Sequence, residues 1–300
     1  MPRMSLPDHL DELRRRMMRS TLAVFGGMLI SFLFYEELMV FVQAPYHDAA
    51  RRVGVEGSQL LSLAPAAGFM AVLKLCFLCG LVLVSPVVLW QMWGFVSAGL
   101  YKHEKSAVRV FFPVSIGLFF LGAIAAYLLL IPFGLRFLMS WNVQLGFSSN
   151  FSVSDYISSC LTAVFGMGLV FELPLVMLFL QATDIVQRET FAKNWRWAVL
   201  LAFVLGMFLT DPSPVTQILM AMPVVGLYFL GVWSGRFVGE NAETFRFWKA
   251  WPLLLAATAF GAMLVYADEL NDWAAEIFGG DTSALTAPEE PGSGADPGDK

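Results

Sequence analysis

Charge is scarce in this chain. Only 14% of its 300 residues are Asp, Glu, Lys or Arg, against 57% hydrophobic. A soluble domain of that length cannot carry such a composition without a large exposed apolar surface, which excludes an ordinary soluble fold. Histidine is scarcer still, with only His9, His47 and His103. His103-Glu104 has no second histidine four residues after the first, so the H-E-x-x-H zinc pattern is absent and no metal centre is expected. No G-x-x-x-x-G-K-[ST] segment exists, which excludes an ATP site of that type. Gly231-Val232-Trp233-Ser234-Gly235 does not fit the G-x-S-x-G serine-hydrolase elbow. No enzyme activity, cofactor or nucleic-acid partner is expected. Cysteine is limited to Cys76, Cys79 and Cys160, all in apolar stretches, which argues against an extracellular disulfide framework. Cys76 and Cys79 form a C-x-x-C, but three residues apart on a helix is the spacing of same-face packing, and no other soft ligand stands nearby.

Long apolar runs are abundant. A helix crossing about 30 Å of hydrocarbon needs about 20 apolar residues at about 1.5 Å each. Such runs cover residues 21–42, 68–93, 108–130 and 156–181. Two less regular ones follow at 197–210 and 215–233, separated by the turn Asp211-Pro212-Ser213-Pro214. Proline stops one helix there and starts the next. The fifth run reaches only about 21 Å. It is therefore either shielded by other helices or matched by a thinner bilayer. A seventh apolar stretch lies at 251–267, and the tail beyond 268 is acidic and rich in Pro, Gly and Ser, the composition of a disordered segment. The expected organisation is an N-terminal segment (1–20), a six-span core (21–236), an added apolar helix with its linker (237–268) and the acidic tail (269–300). Arg14-Arg15-Arg16 precedes the first run like a signal peptide. The run contains no small-x-small cleavage site, so it reads as an uncleaved first span.

Orientation follows from the basic residues of alternate loops. One side collects fourteen: Arg3, Arg14, Arg15, Arg16 and Arg19, then Lys102, Lys105 and Arg109, then Arg188, Lys193 and Arg196, then Arg236, Arg246 and Lys249. The other side has Arg51, Arg52, Arg136 and, in the tail, Lys300. The N terminus is therefore expected in the cytoplasm. A spanning seventh stretch puts the tail outside, and an interfacial one leaves it inside.

Lys74 and Glu172 sit inside two of the most apolar of these runs. Holding a charge at mid-membrane costs about 2.5–3.5 kcal/mol on insertion scales, so such residues usually face a protein interior or a wet cavity. Lys74 lies near the outer end of its run, where its long side chain can also reach the interface. Glu172 precedes Leu173-Pro174, and the proline frees a backbone carbonyl one turn earlier. Its carboxyl group has two available uses, local polar satisfaction or a polar residue on a partner helix. At the cytoplasmic face, Glu12 and Glu104, with aromatics beside them, form a pair suited to guanidinium recognition through charge-assisted hydrogen bonds. The plainer reading pairs Glu12 with arginines of its own helix and Glu104 with Lys102 or Lys105.

Several motifs, in order, carry a resemblance. They are His9-Leu10-Asp11-Glu12-Leu13-Arg14-Arg15-Arg16; Ala44-Pro45; the run from Ser85-Pro86 to Trp93-Gly94-Phe95; Gly99-Leu100-Tyr101-Lys102-His103-Glu104-Lys105; Phe165-Gly166 with Phe171-Glu172-Leu173-Pro174; and Gly206-Met207-Phe208-Leu209-Thr210 with Gln217 and Pro223. Over about residues 9–236 the chain resembles the TatC family, the multi-spanning receptor subunit of the twin-arginine protein translocase. The resemblance implies an all-α, glove-like bundle of six helices with short fifth and sixth helices, to which the seventh stretch is an addition. It implies that Glu12, Phe95 and Glu104 read twin-arginine signal peptides. It further implies that Glu172 serves a polar patch or partner contact, a use open also to Lys74 as the second charge inside an apolar run, and that Pro45 lies in the first periplasmic loop; Asp211 falls in the outer turn between the fifth and sixth helices. Single-span TatA- and TatB-type partners, an oligomer, a bacterial inner-membrane location and transport of folded proteins by the proton-motive force follow from the same resemblance. Two departures stand out: Ser97 where the family commonly has proline, and an acidic residue placed before rather than after the prolines at 211–214. The alternative is a proton-coupled small-molecule transporter with Lys74 and Glu172 as a relay. Such transporters often carry internal repeats, and none is evident here.

Overall fold

A computed structural model describes residues 6–235 apart from 56, 100–104, 184 and 210–213. The expected seventh helix and the acidic tail lie outside the described residues. The architecture is all-α. Its elements are α1 (Leu6–Leu33), α2 (Tyr35–Val53), β1 (Leu60–Leu61), α3 (Ala67–Leu83), α4 (Ser85–Gly99) and α5 (Lys105–Ala125). A π-helical segment (Ala126–Leu130) continues α5 into α6 (Ile131–Gln144). Then follow β2 (Phe151–Ser152), α7 (Val153–Phe171), α8 (Leu173–Ala182), α9 (Arg188–Lys193), α10 (Trp195–Leu209) and α11 (Pro214–Ser234).

Two helical stretches are long and apolar enough to cross a membrane without a sharp bend, Phe111–Gln144 and Val153–Ala182. Two further candidates are bent pairs. The run expected as one span over 21–42 turns by 85° between α1 and α2, and the run over 68–93 turns by 55° between α3 and α4. The first bend has a local cause. Glu36 and Glu37 stand in the first turn of α2, where the positive helix end favours them. Past the bend, Val42, Pro45, Tyr46, Ala49 and Ala50 are buried. Their three- and four-residue spacing makes one apolar stripe, which packs on α6. Arg51 and Arg52 occupy the last turn, and Gly54, at φ 78°, supplies the left-handed cap. At the second bend, Pro86 fits the first turn of α4, where its missing N–H leaves no helical bond unmade, and Ser85 Oγ donates to the Val82 carbonyl at 2.8 Å.

Glycine sets the principal helix crossings. A Cβ on Gly27 of α1 would stand 2.6 Å from the carbonyl oxygen of Gly80 in α3. A Cβ on Gly122 of α5 would stand 2.6 Å from the Met167 carbonyl of α7, and one on Gly168 would meet the Phe119 ring at 2.8 Å. Small residues let helix backbones approach where lipid supplies no hydrophobic drive between helices. The core runs along these contacts, with Leu75, Phe111, Ile157 and Leu175 fully enclosed.

The end of the molecule away from the N terminus is tied by polar contacts. β1 and β2 pair in parallel, Leu60 opposite Phe151. The Gln59 amide donates to Asn150 Oδ1 at 3.0 Å. Arg136 Nη2 of α6 lies 3.5 Å from Asp48 Oδ2 of α2. The short fifth run becomes α10, and the described residues do not shield it. Among the described residues α10 buries Ala202 and Gly206, and leaves Trp197, Leu200, Leu201 and Phe208 exposed.

Candidate functional site

The first turns of α1 and the end of α4 meet at the molecule's N-terminal end. His9, Glu12, Leu13 and Arg16 share the half-buried face of α1, while Arg14, Arg15 and Arg19 are exposed. Three- and four-residue spacing places these four on one side of a helix. Opposite them, Gln91, Gly94 and Phe95 come from α4. The His9 and Phe95 rings stack with centroids 4.4 Å apart and planes 23° from parallel. Arg16 Nε donates to Glu12 Oε1 at 2.7 Å, and Arg16 Nη2 lies 2.6 Å from the same oxygen. Arg16 Nη1 donates to Gln91 Oε1 at 3.4 Å. A Cβ on Gly94 would overlap the Arg16 guanidinium, so glycine makes room for it.

Glu12 and Phe95 are thus brought to one helix contact. The pairing of Glu12 with an arginine of its own helix is present, and the partner is Arg16. Glu104, the third member expected here, lies outside the described residues. What the sequence did not signal is the reach of Arg16 to α4. The i,i+4 spacing points to the ion pair, whereas the glycine cradle is a contact between residues 78 positions apart.

Glu172 sits at the junction of α7 and α8, 6% exposed. Its Oε2 accepts a hydrogen bond from Ser115 Oγ of α5 at 2.8 Å. Its Oε1 is buried with no hydrogen-bond partner among the described residues. Ser115 was not singled out by sequence, because a lone serine in an apolar run has no periodic signature. Lys74 is exposed, and its Nζ donates to Ser158 Oγ at 2.9 Å and Ser154 Oγ at 3.2 Å, both on the first turns of α7. Fourteen residues separate Ser158 from Glu172, or about 21 Å along the helix. The two intramembrane charges are therefore not neighbours, and a relay between them would need groups to bridge that gap.

Pro45 lies inside α2. Lacking an N–H, it cannot bond the carbonyl four residues earlier. That carbonyl, Phe41 O, accepts instead from Tyr127 Oη at 2.7 Å, and the Phe41 and Tyr127 rings stack 4.4 Å apart. The next carbonyl, Val42 O, accepts from Tyr156 Oη at 2.6 Å. Pro45 is thus held by two tyrosines from distant helices. Asp211 lies outside the described residues. No group of three or more metal-ligating side chains occurs among the described residues.

Comparison with known proteins places this geometry. The family profile described as Sec-independent protein translocase protein (TatC) matches residues 8–223. The TatC of Helicobacter pylori strain J99 is 31% identical over 233 residues, covering 78% of this chain and 89% of that protein. The TatC of Aquifex aeolicus is 34% identical over 237 residues, covering 78% and 95%. A crystal structure of the twin-arginine translocase receptor TatC is similar with a TM-score of 0.69 and 33% identity, over 77% of this chain and 99% of that one. Family profile, relatives and fold agree over the same core, and the chain belongs to the TatC family of Sec-independent protein translocase proteins, membrane transport components rather than enzymes.

Proposed function

We propose that this chain is the receptor subunit of a twin-arginine translocase and reads twin-arginine signal peptides at the face carrying its N terminus. The observation that supports this most directly is the α1–α4 contact, where Glu12 lies one helical turn after His9, on the same half-buried face of α1, and the His9 ring stacks on Phe95. A carboxylate with an aromatic plane beside it suits a guanidinium, which pairs by charge-assisted hydrogen bonds and stacks on rings. Glu104 belongs to the same site in this reading, five residues beyond the end of α4. The excess of basic residues in the loops on this side supports a cytoplasmic face, and the family resemblance supports a bacterial inner membrane. Folded passengers cross with single-span TatA- and TatB-type partners in an oligomer, driven by the proton-motive force. The absence of a nucleotide-binding motif is compatible with that energy source. Glu172 and Lys74 serve the intramembrane stage, with Glu172 Oε1 buried and without a hydrogen-bond partner among the described residues, and Pro45 and Asp211 lie on the periplasmic side.

The test is photocrosslinking from a probe at position 104 to a twin-arginine signal peptide in native membranes, with a twin-lysine peptide as control. The expected result is a crosslink to the first peptide that vanishes with the second. Equal crosslinking to both, or none with well-inserted protein, removes Glu104 from the site. Glu104→Ala is expected to weaken export without loss of inserted protein.

A further inference from the structure

We infer that Arg16 is a positioning residue of this site. It fixes the Glu12 carboxylate by one oxygen and leaves the other for the guanidinium of the ligand. The inference rests on the receptor reading above and adds to it a residue, a supporting glycine and a sign.

Four arginines surround Glu12 along α1, and a flexible, solvated pair with any of them would mean little. Arg16 differs from Arg14, Arg15 and Arg19 in being half-buried and in having contacts on a second helix. Its Nε and Nη2 converge on Glu12 Oε1 at 2.7 and 2.6 Å, and among the described residues no hydrogen bond reaches Oε2. A fork-to-fork pair would have used both carboxylate oxygens and closed the site to a second guanidinium. Arg16 Nη1 is turned to Gln91 Oε1. The plane of the group lies where a Cβ at position 94 would be. Gly94 adjoins Phe95, whose ring stacks on His9 one turn before Glu12. The guanidinium therefore links the carboxylate to the helix that carries the aromatic wall, and both ligand-facing groups are set by one rigid, planar connector. An ammonium at position 16 has no fork with which to hold Glu12 and Gln91 together.

A competing role predicts the opposite sign. If Arg16 merely occupied Glu12 in place of the ligand, removing it would tighten peptide binding and admit a twin-lysine peptide. The experiment uses the full-length chain in native membranes and a fluorescent twin-arginine signal peptide, with the twin-lysine peptide alongside. Glu12→Gln, Arg16→Gln, Arg16→Lys, Gly94→Ala and the double variant Glu12→Gln/Arg16→Gln are compared at equal amounts of inserted protein. Arg16→Gln and Gly94→Ala are each expected to weaken twin-arginine binding about tenfold, the scale of one lost charge-assisted hydrogen bond. Arg16→Lys is expected not to restore it. In the double variant the Arg16 change adds nothing, because residues acting as one unit are non-additive. Unchanged or tighter binding in Arg16→Gln overturns the inference, and so do losses that simply add to that of Glu12→Gln, which would mark a general structural effect. Gly94→Ala keeps the charge and the ion pair's chemistry, so it decides the matter if Arg16→Gln is poorly inserted. Unaltered binding in Glu12→Gln overturns the receptor reading itself, and the inference with it.

Discussion

The α1–α3–α5–α7 half of the molecule and the α10–α11 hairpin use the same apolar alphabet and pack it differently. α7 buries ten of its nineteen residues, including Gly166 and Gly168. α10 is equally apolar, yet among the described residues it buries Ala202 and Gly206 while Trp197, Leu201 and Phe208 stay exposed. The hairpin is held largely by its own two helices and by α11 against α8, with Gln217 Nε2 donating to the Phe203 carbonyl at 3.0 Å. Hydrophobicity keeps both regions in the bilayer. Small residues at the crossings, rather than hydrophobicity, weld the first region into a body.

That contrast can be broken deliberately. The largest effect is expected from Gly80→Leu, which forces apart backbones already in contact. Overpacking of this kind costs about 1–3 kcal/mol or more. The variant should lose thermal stability in detergent and accumulate poorly, and a wild-type melting curve would refute the weld. Ser115→Ala comes next. It leaves both oxygens of the buried Glu172 without a protein partner, at about 1–3 kcal/mol. Glu172→Ala should perturb partner assembly more than signal docking, measured by co-purification and peptide binding in the same membranes; lost docking with intact assembly would speak against that assignment. Tyr127→Phe should cost about 1 kcal/mol, because the Phe41 carbonyl freed by Pro45 loses its donor. The same change in a Pro45→Ala background should cost less, since the backbone can then supply the bond. The smallest effect is expected for Leu201→Ala on α10. An exposed position away from packing shifts stability by less than about 0.5 kcal/mol, and a loss as large as that of Gly80→Leu would show that the hairpin is packed after all.

Much of this was legible in the sequence. Apolar runs marked the spans because hydrocarbon demands about 20 such residues. The Glu12–Arg16 pair was written in an i,i+4 spacing. The bends were not legible from hydropathy, because the run over 21–42 continues unbroken through Phe34. Their signals were of another kind. Glu36-Glu37 mark a helix start, and the stripe from Val42 to Ala50 has the period of a helix lying on a surface. Pro86 and Pro174 marked the other two breaks, at Val84 and Glu172. Tyr127, Ser115 and Gly94 left no such trace. Each matters through a partner 50 or more residues away, and a single sequence records no partners at that distance.

One feature changes how motion would travel. Phe111–Gln144 is a single helix of 34 residues, about 51 Å long where the hydrocarbon is about 30 Å. Unless it is strongly tilted it outreaches the hydrocarbon, and Arg136, about two turns before its end, contacts α2. Such a rod is a lever. A tilt of about 10° about its first end would carry Arg136, about 38 Å along, by about 6.5 Å. Such a rod would turn a small rotation among the packed spans into a shift of several ångströms where it meets α2.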